Sequence, residues 1–150
     1  MYYLILAGIV LLDQFTKLLV NSLMYVGESI PVINNVFHIT YIHNTGAAFS
    51  FMAGHTMFLA GLTAGVLLAL LVYMIHGYKR HQRVLNLTLA FIIAGGVGNL
   101  IDRMVRGYVV DMFDFRIWPV FNIADIAICI GCMLLVIYVL FLEPKGKHRR

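Results

Sequence analysis

The chain has 150 residues, 61% hydrophobic and 12% charged, with a formal net charge of +4 and a mean hydropathy of +0.88. A soluble domain carries about 25% charged residues and a spanning helix takes about 20 apolar ones, so this balance excludes an ordinary globular domain and leaves room for about four spans. The basic excess is no nucleic-acid footprint, because seven of the eleven Lys and Arg lie in the runs Lys79-Arg80-His81-Gln82-Arg83 and Lys145-Gly146-Lys147-His148-Arg149-Arg150, which read as cytoplasmic anchors beside spans.

The first span covers about residues 2–23. Asp13 and Lys17 follow its apolar start, where a cleavable leader would need small residues, so the segment is expected to be a retained helix. These two residues are four apart, share a helix face and can pair. Between 24 and 54 the chain changes character. Gly27, Pro31, Asn34 and Asn35 break a helix, and Val36-Phe37-His38-Ile39-Thr40-Tyr41-Ile42 has the β-branched and aromatic content of a strand. Neither Lys nor Arg occurs there, which predicts a small β-rich platform on the extracytoplasmic side.

The second span, about 55–76, is almost wholly apolar and reads as scaffold. The basic loop 77–83 follows, then a third span at about 85–104. Ala94, Gly95, Gly96 and Gly98 give that span small faces on which other helices can pack closely. Asn99, Asp102 and Arg103 stand near its outer end, and Asp102 beside Arg103 is read as paired and ionised. Residues 105–119 are expected to form a second extracytoplasmic loop carrying Asp111 and a solvated Asp114. The fourth span, about 120–142, has Asn122 and Asp125 in its first turns. Cys129 and Cys132, the two cysteines, read as small apolar residues of this helix and not as a redox or metal pair. The expected whole is a single membrane domain over 1–150, four transmembrane helices with both termini cytoplasmic.

This topology collects the intramembrane ionisable groups in the outer half of the bundle. A transporter would place its site near the midplane, between related repeats, and no repeat is evident. Ser22, Ser29 and Ser50 lie in no Gly-x-Ser-x-Gly, and no His-Glu-x-x-His occurs. His38 and His43 are five apart on a probable strand and should face opposite sides, which argues against a metal pair. Carboxylates remain. Two close carboxyl groups can share one proton, one acting as general base on a water and the other as general acid. That is the logic of an aspartic peptidase at a membrane surface.

Five short motifs, in order along the whole chain, resemble those of the lipoprotein signal peptidases, also called signal peptidase II. They are Asp13-Gln14-Phe15-Thr16-Lys17, Asn44-Thr45-Gly46-Ala47-Ala48-Phe49, Gly95-Gly96-Val97-Gly98-Asn99-Leu100-Ile101-Asp102-Arg103, Val109-Val110-Asp111 and Phe121-Asn122-Ile123-Ala124-Asp125. The resemblance implies a bacterial inner-membrane aspartic endopeptidase that removes the signal peptide from diacylglyceryl-modified prolipoproteins, just before the lipid-bearing cysteine. It implies Asp111 and Asp125 as the catalytic pair. Asn44, Gly46, Asn99, Arg103, Asn122 and Ala124 would hold substrate or brace that pair, and Asp13 and Lys17 would support the fold beside it. Neither a metal nor a cofactor is implied, nor a nucleic-acid partner. Substrate prolipoproteins, membrane lipids and globomycin-type inhibitors are the implied partners. One position departs from the pattern: the family's fourth motif commonly reads Val-x-Asp-Phe, whereas Met112 follows Asp111 here and Asp114-Phe115 supplies a second Asp-Phe. Asp111 is preferred, since it follows Val109-Val110 and keeps the short connection from Asp102-Arg103.

Overall fold

The computed structural model describes residues 1–46, 55–77 and 82–142. Ala47-Ala48-Phe49 of the second motif, Lys79, Arg80 and His81 of the basic loop, and the tail at 145–150 lie outside the described residues. In chain order the elements are α1 (Tyr2–Leu23), β1 (Ser29–Ile33), β2 (Phe37–Asn44), α2 (Thr56–His76), α3 (Arg83–Arg106), β3 (Val109–Asp114) and α4 (Ile123–Ile137). A π-helical turn, Tyr138–Leu142, continues α4. The four helices, α4 counted with its π turn, are each long and apolar enough to cross a membrane. With the small antiparallel sheet they make the expected architecture of four spans and a β-rich platform.

α3 is the hub. Of its apolar stretch 61% is buried, against 17%, 22% and 17% for those of α1, α2 and α4. The Gly95-Gly96-Val97-Gly98 run explains how three helices fit around one. A Cβ on Gly95 would collide with the Ala124 carbonyl and with Ile128 on α4. On Gly96 it would stand 2.5 Å from Leu67 on α2, and on Gly98 2.5 Å from the Asp13 carboxylate on α1. Each missing methyl thus admits a different neighbour, the close approach that small residues allow between spans. α3 ends at Gly107, whose φ of +79° is the left-handed cap that glycine adopts at little cost.

The sheet runs β1-β2-β3, antiparallel throughout. β3 lies inside 105–119, where a loop is expected from sequence. Its Val109-Val110 start favours a strand, and its pairing partner is the distant β2, with His38 opposite Asp114 and Asn44 opposite Val109. Tyr41, Val110 and Met112 on the sheet pack with Val20 of α1 as a second small core. That contact seats the platform on the end of the bundle where α1 finishes.

Candidate active site

Two clusters of buried polar groups meet where α1, α3, β3 and α4 converge. The first is centred on Lys17, which is 0% exposed. Its three ammonium protons are all committed: 2.8 Å to Asp13, 2.9 Å to Asp102 and 3.0 Å to Asn99 Oδ1. Asp13 also accepts the Ala124 N–H at 2.9 Å, and Asp102 accepts the Val110 N–H at 3.1 Å. The motif around Asp13 therefore pins the start of α4, and Asp102 pins β3. Asp102 is paired as expected, but with Lys17 and Arg106 and not with Arg103. Residues four apart on a helix share a face, whereas neighbours diverge by about 100°. Gln14 adds bonds to Gly98 O at 3.1 Å and Asp13 at 3.2 Å.

The second cluster holds Asp111 and Asp125. Asp111 accepts from Asn44 Nδ2 at 2.9 Å and from Asn122 Nδ2 at 2.7 Å. Asp125 accepts from Asn99 Nδ2 at 2.8 Å and from the Asn122 backbone N–H at 3.2 Å. The Asn122 side chain in turn accepts the Asp125 N–H at 2.9 Å, a reciprocal cap that starts α4. One asparagine thus caps a helix and bridges both carboxylates. Gly46 donates its N–H to Asn44 Oδ1 at 3.0 Å, orienting that amide, and its carbonyl accepts from Arg103 Nη2 at 3.0 Å. Arg103 Nε is buried without a hydrogen-bond partner among the described residues.

Asp111 and Asp125 both line one cavity of about 490 Å³, shared with Asn44, Asn99 and Arg103 and walled by apolar groups such as Ile42, Trp118 and Ile128. Cys129 is on the same wall, one turn below Asp125, and both cysteines are free. No ion pair reaches either carboxylate among the described residues. Burial first, then the charge of Asp125, push the Asp111 carboxyl up to about 7. The bonds from Asn44 and Asn122 and the charge of Lys17 oppose that rise without cancelling it.

Asp114 differs from its expectation as a solvated loop residue. It is 6% exposed and ends β3, where it accepts from Thr40 Oγ1 at 2.8 Å and from the Arg116 backbone and guanidinium at 2.8 and 3.0 Å. Burial pushes its carboxyl up, but these bonds outweigh it and hold the group below the usual carboxylate range. Alternation along β3 puts Asp111 and Asp114 on different faces of the strand. Val109 and Asp111 point into the cavity; Asp114, an odd number of residues from Asp111, belongs to the other face with Val110 and Met112.

Every residue named from the motifs thus lies in one of the two clusters: Asn44, Gly46, Asn99, Arg103, Asp111, Asn122 and Asp125 at the cavity, Asp13, Lys17 and Ala124 beneath it. Sequence reasoning missed Gln14, Thr40 and Arg106. The i,i+4 spacing of Asp102 and Arg106 was the readable signal for the last.

A family model described as signal peptidase (SPase) II matches residues 5–141. The chain belongs to the signal peptidase II family. It is 47% identical over 147 residues to a lipoprotein signal peptidase of Halothermothrix orenii, covering 97% of this chain and 99% of that one. To the lipoprotein signal peptidase of Bacillus subtilis it is 43% identical over 154 residues, covering 100% and 99%. A solved bacterial membrane enzyme superposes with a TM-score of 0.89 at 33% identity, over 99% of this chain and 93% of the other. A second superposes at 0.84 with 34% identity, over 93% and 92%. The chain is accordingly a multi-pass membrane protease of this family.

Proposed function

We propose that this protein is an aspartic-type endopeptidase that removes the signal peptide from diacylglyceryl-modified prolipoproteins, cutting before the lipidated cysteine, with Asp111 and Asp125 as the catalytic pair. The observation that carries the assignment is the shared cavity. A buried carboxyl group, Asp111, and a half-buried one, Asp125, line it, oriented by Asn44, Asn99 and Asn122 and paired with no cation among the described residues. Between them the pair holds one proton near neutral pH. The ionised member takes a proton from an attacking water while the protonated member gives one to the scissile carbonyl oxygen. As the resulting diol collapses, the first passes its proton to the departing amine and the second recovers one from the diol, so the pair ends with the single proton it began with. Arg103 and the asparagine amides hold the peptide backbone in line.

The site opens on the extracytoplasmic side of the bacterial inner membrane, with both termini and residues 77–83 in the cytoplasm. The basic runs at 79–83 and 145–150 and the absence of Lys and Arg from 24–54 support that orientation. A mouth at the outer leaflet lets the substrate's acyl chains stay in hydrocarbon while its peptide reaches the pair. A cyclic peptide such as globomycin would occupy the same cavity. Incubating the purified protein with lipid-modified and unmodified precursor tests this reading. Cleavage of the modified precursor, blocked by globomycin, is expected; equal rates for both precursors would overturn the lipid requirement.

A further inference from the structure

No residue of α2 lines the cavity among the described residues, yet one side chain of α2 is tied to its wall. Thr56 opens the helix and is 8% exposed. Its hydroxyl donates to the carbonyl of Thr45, a cavity-lining residue, at 2.9 Å. A hydroxyl has a proton to give and a carbonyl has none, so the direction of this bond is fixed. The Thr45 carbonyl belongs to the same planar peptide as the Gly46 N–H. That N–H donates to Asn44 Oδ1 at 3.0 Å, the turn an asparagine makes with the backbone two residues on. With its oxygen so committed, the Asn44 amide turns Nδ2 to Asp111, 2.9 Å away. Thr56, the 45–46 peptide, the Asn44 amide and the Asp111 carboxylate thus form one row, each donating to the next.

Asn44 is the last residue of β2, so the strand fixes its backbone and leaves its side-chain torsions to other contacts. The 45–46 peptide settles them from one end, and Thr56 holds the other end of that peptide. Arg103 grips the next peptide, at the Gly46 carbonyl. The row also carries polarisation, since an amide whose oxygen accepts a bond donates more strongly from its nitrogen. Burial and then the charge of Asp125 raise the Asp111 carboxyl, and the Asn44 bond opposes them by favouring the ionised form. We propose that Thr56 is a positioning residue for the reaction, which acts through the 45–46 peptide to hold the Asn44 amide on Asp111. This rests on the peptidase reading above, and it gives α2, otherwise scaffold, a part in the site.

Cleavage of a lipid-modified precursor, measured per folded enzyme across pH, tests it with T56V and T56S beside the wild type. T56V keeps the shape and loses the donor. Its kcat should fall about 3- to 10-fold, the scale of one hydrogen bond, with KM within about twofold. The pH profile of its kcat should move up by about half a pH unit, because Asp111 loses help in staying ionised. T56S keeps the hydroxyl and should restore both rate and profile. Asp125 on α4, Lys17 on α1 and Arg103 on α3, the charged groups facing Asp111, are the same in every variant, as is His55 beside Thr56. In an Asn44→Ala background, T56V should cost little further, since the row no longer reaches Asp111. A merely structural threonine would lower the unfolding temperature without moving the pH profile, and its loss would be the same in both backgrounds. A T56V with wild-type kcat and profile, or an equal loss with and without Asn44, overturns the proposal while leaving the carboxylate pair standing. If Asn44→Ala has no measurable turnover, the T56V and T56S profiles decide alone. If T56V does not fold, T56A takes its place, and a protein that folds with neither marks Thr56 as a structural anchor and overturns the proposal. A wild type that cleaves nothing overturns the peptidase reading, and this proposal with it.

Discussion

Two pairs of carboxylates lie side by side in this protein and are treated in opposite ways. Asp13 and Asp102, both 0% exposed, have Lys17 between them and Arg106 on the outer flank. Two carboxylates facing two cations make a set whose formal charges sum to zero. Asp111 and Asp125 meet asparagine amides instead. An amide donates a hydrogen bond without fixing the charge of what it holds. Asn99 joins the two: its oxygen takes Lys17 and its nitrogen serves Asp125. The difference in partners, and not burial alone, is what separates the two pairs.

The largest effect that could break this contrast is on the pair around Lys17. Lys17→Met leaves two buried carboxylates facing one another and should cost about 3–5 kcal/mol, the range for removing one partner of a buried ion pair. Thermal unfolding in detergent measures it, and a variant as stable as wild type would show that the cluster is not a lock. A smaller effect of opposite sign sharpens the contrast. In the unfolded chain Asp111 titrates near ~3.9, whereas in the folded protein it is raised to about 7. Between those values the folded state holds a proton that the unfolded state has released. The stability from this group is therefore fully present below about pH 4 and lost as pH rises through about 7. Asp111→Asn should remove that loss, gaining in unfolding temperature over wild type between pH 4 and pH 8, whereas Asp13→Asn should destabilise across the whole range. A flat difference between Asp111→Asn and wild type would contradict the raised carboxyl. The smallest effect concerns Asp114→Asn. An amide can still meet Thr40, and Arg116 is half exposed, so stability should fall by no more than about 1 kcal/mol, with cleavage near normal.

Much of this was legible in the sequence because the signals are local. Runs of about 20 apolar residues announce the spans, the i,i+4 step from Asp13 to Lys17 announces a pair, and the glycine run in α3 announces close packing. What escaped is long-range. The six residues of β3 become a strand only by pairing with β2, some 70 positions earlier, and without that partner they read as loop. Strand alternation then puts Asp111 on the cavity face and Asp114 on the other, a difference that composition does not reveal. Lys17 reaches Asp102 across 85 positions, so nothing near Asp102 reveals that its cation comes from α1. The adjacent Arg103 suggested itself because it is next in the chain, yet it turns to the Gly46 carbonyl.

The central claim is that Asp111 and Asp125 do the chemistry while Asp114 does not. Its most direct test is the cleavage rate of a lipid-modified precursor per folded enzyme for Asp111→Asn, Asp125→Asn and Asp114→Asn. Asparagine keeps size and hydrogen bonding and removes proton transfer, so the first two should each lose roughly 10²-fold or more, while the third stays close to wild type. Near-normal turnover in Asp111→Asn or Asp125→Asn would contradict the assignment, and a dead Asp114→Asn beside a working Asp111→Asn would move the chemistry to the other face of β3.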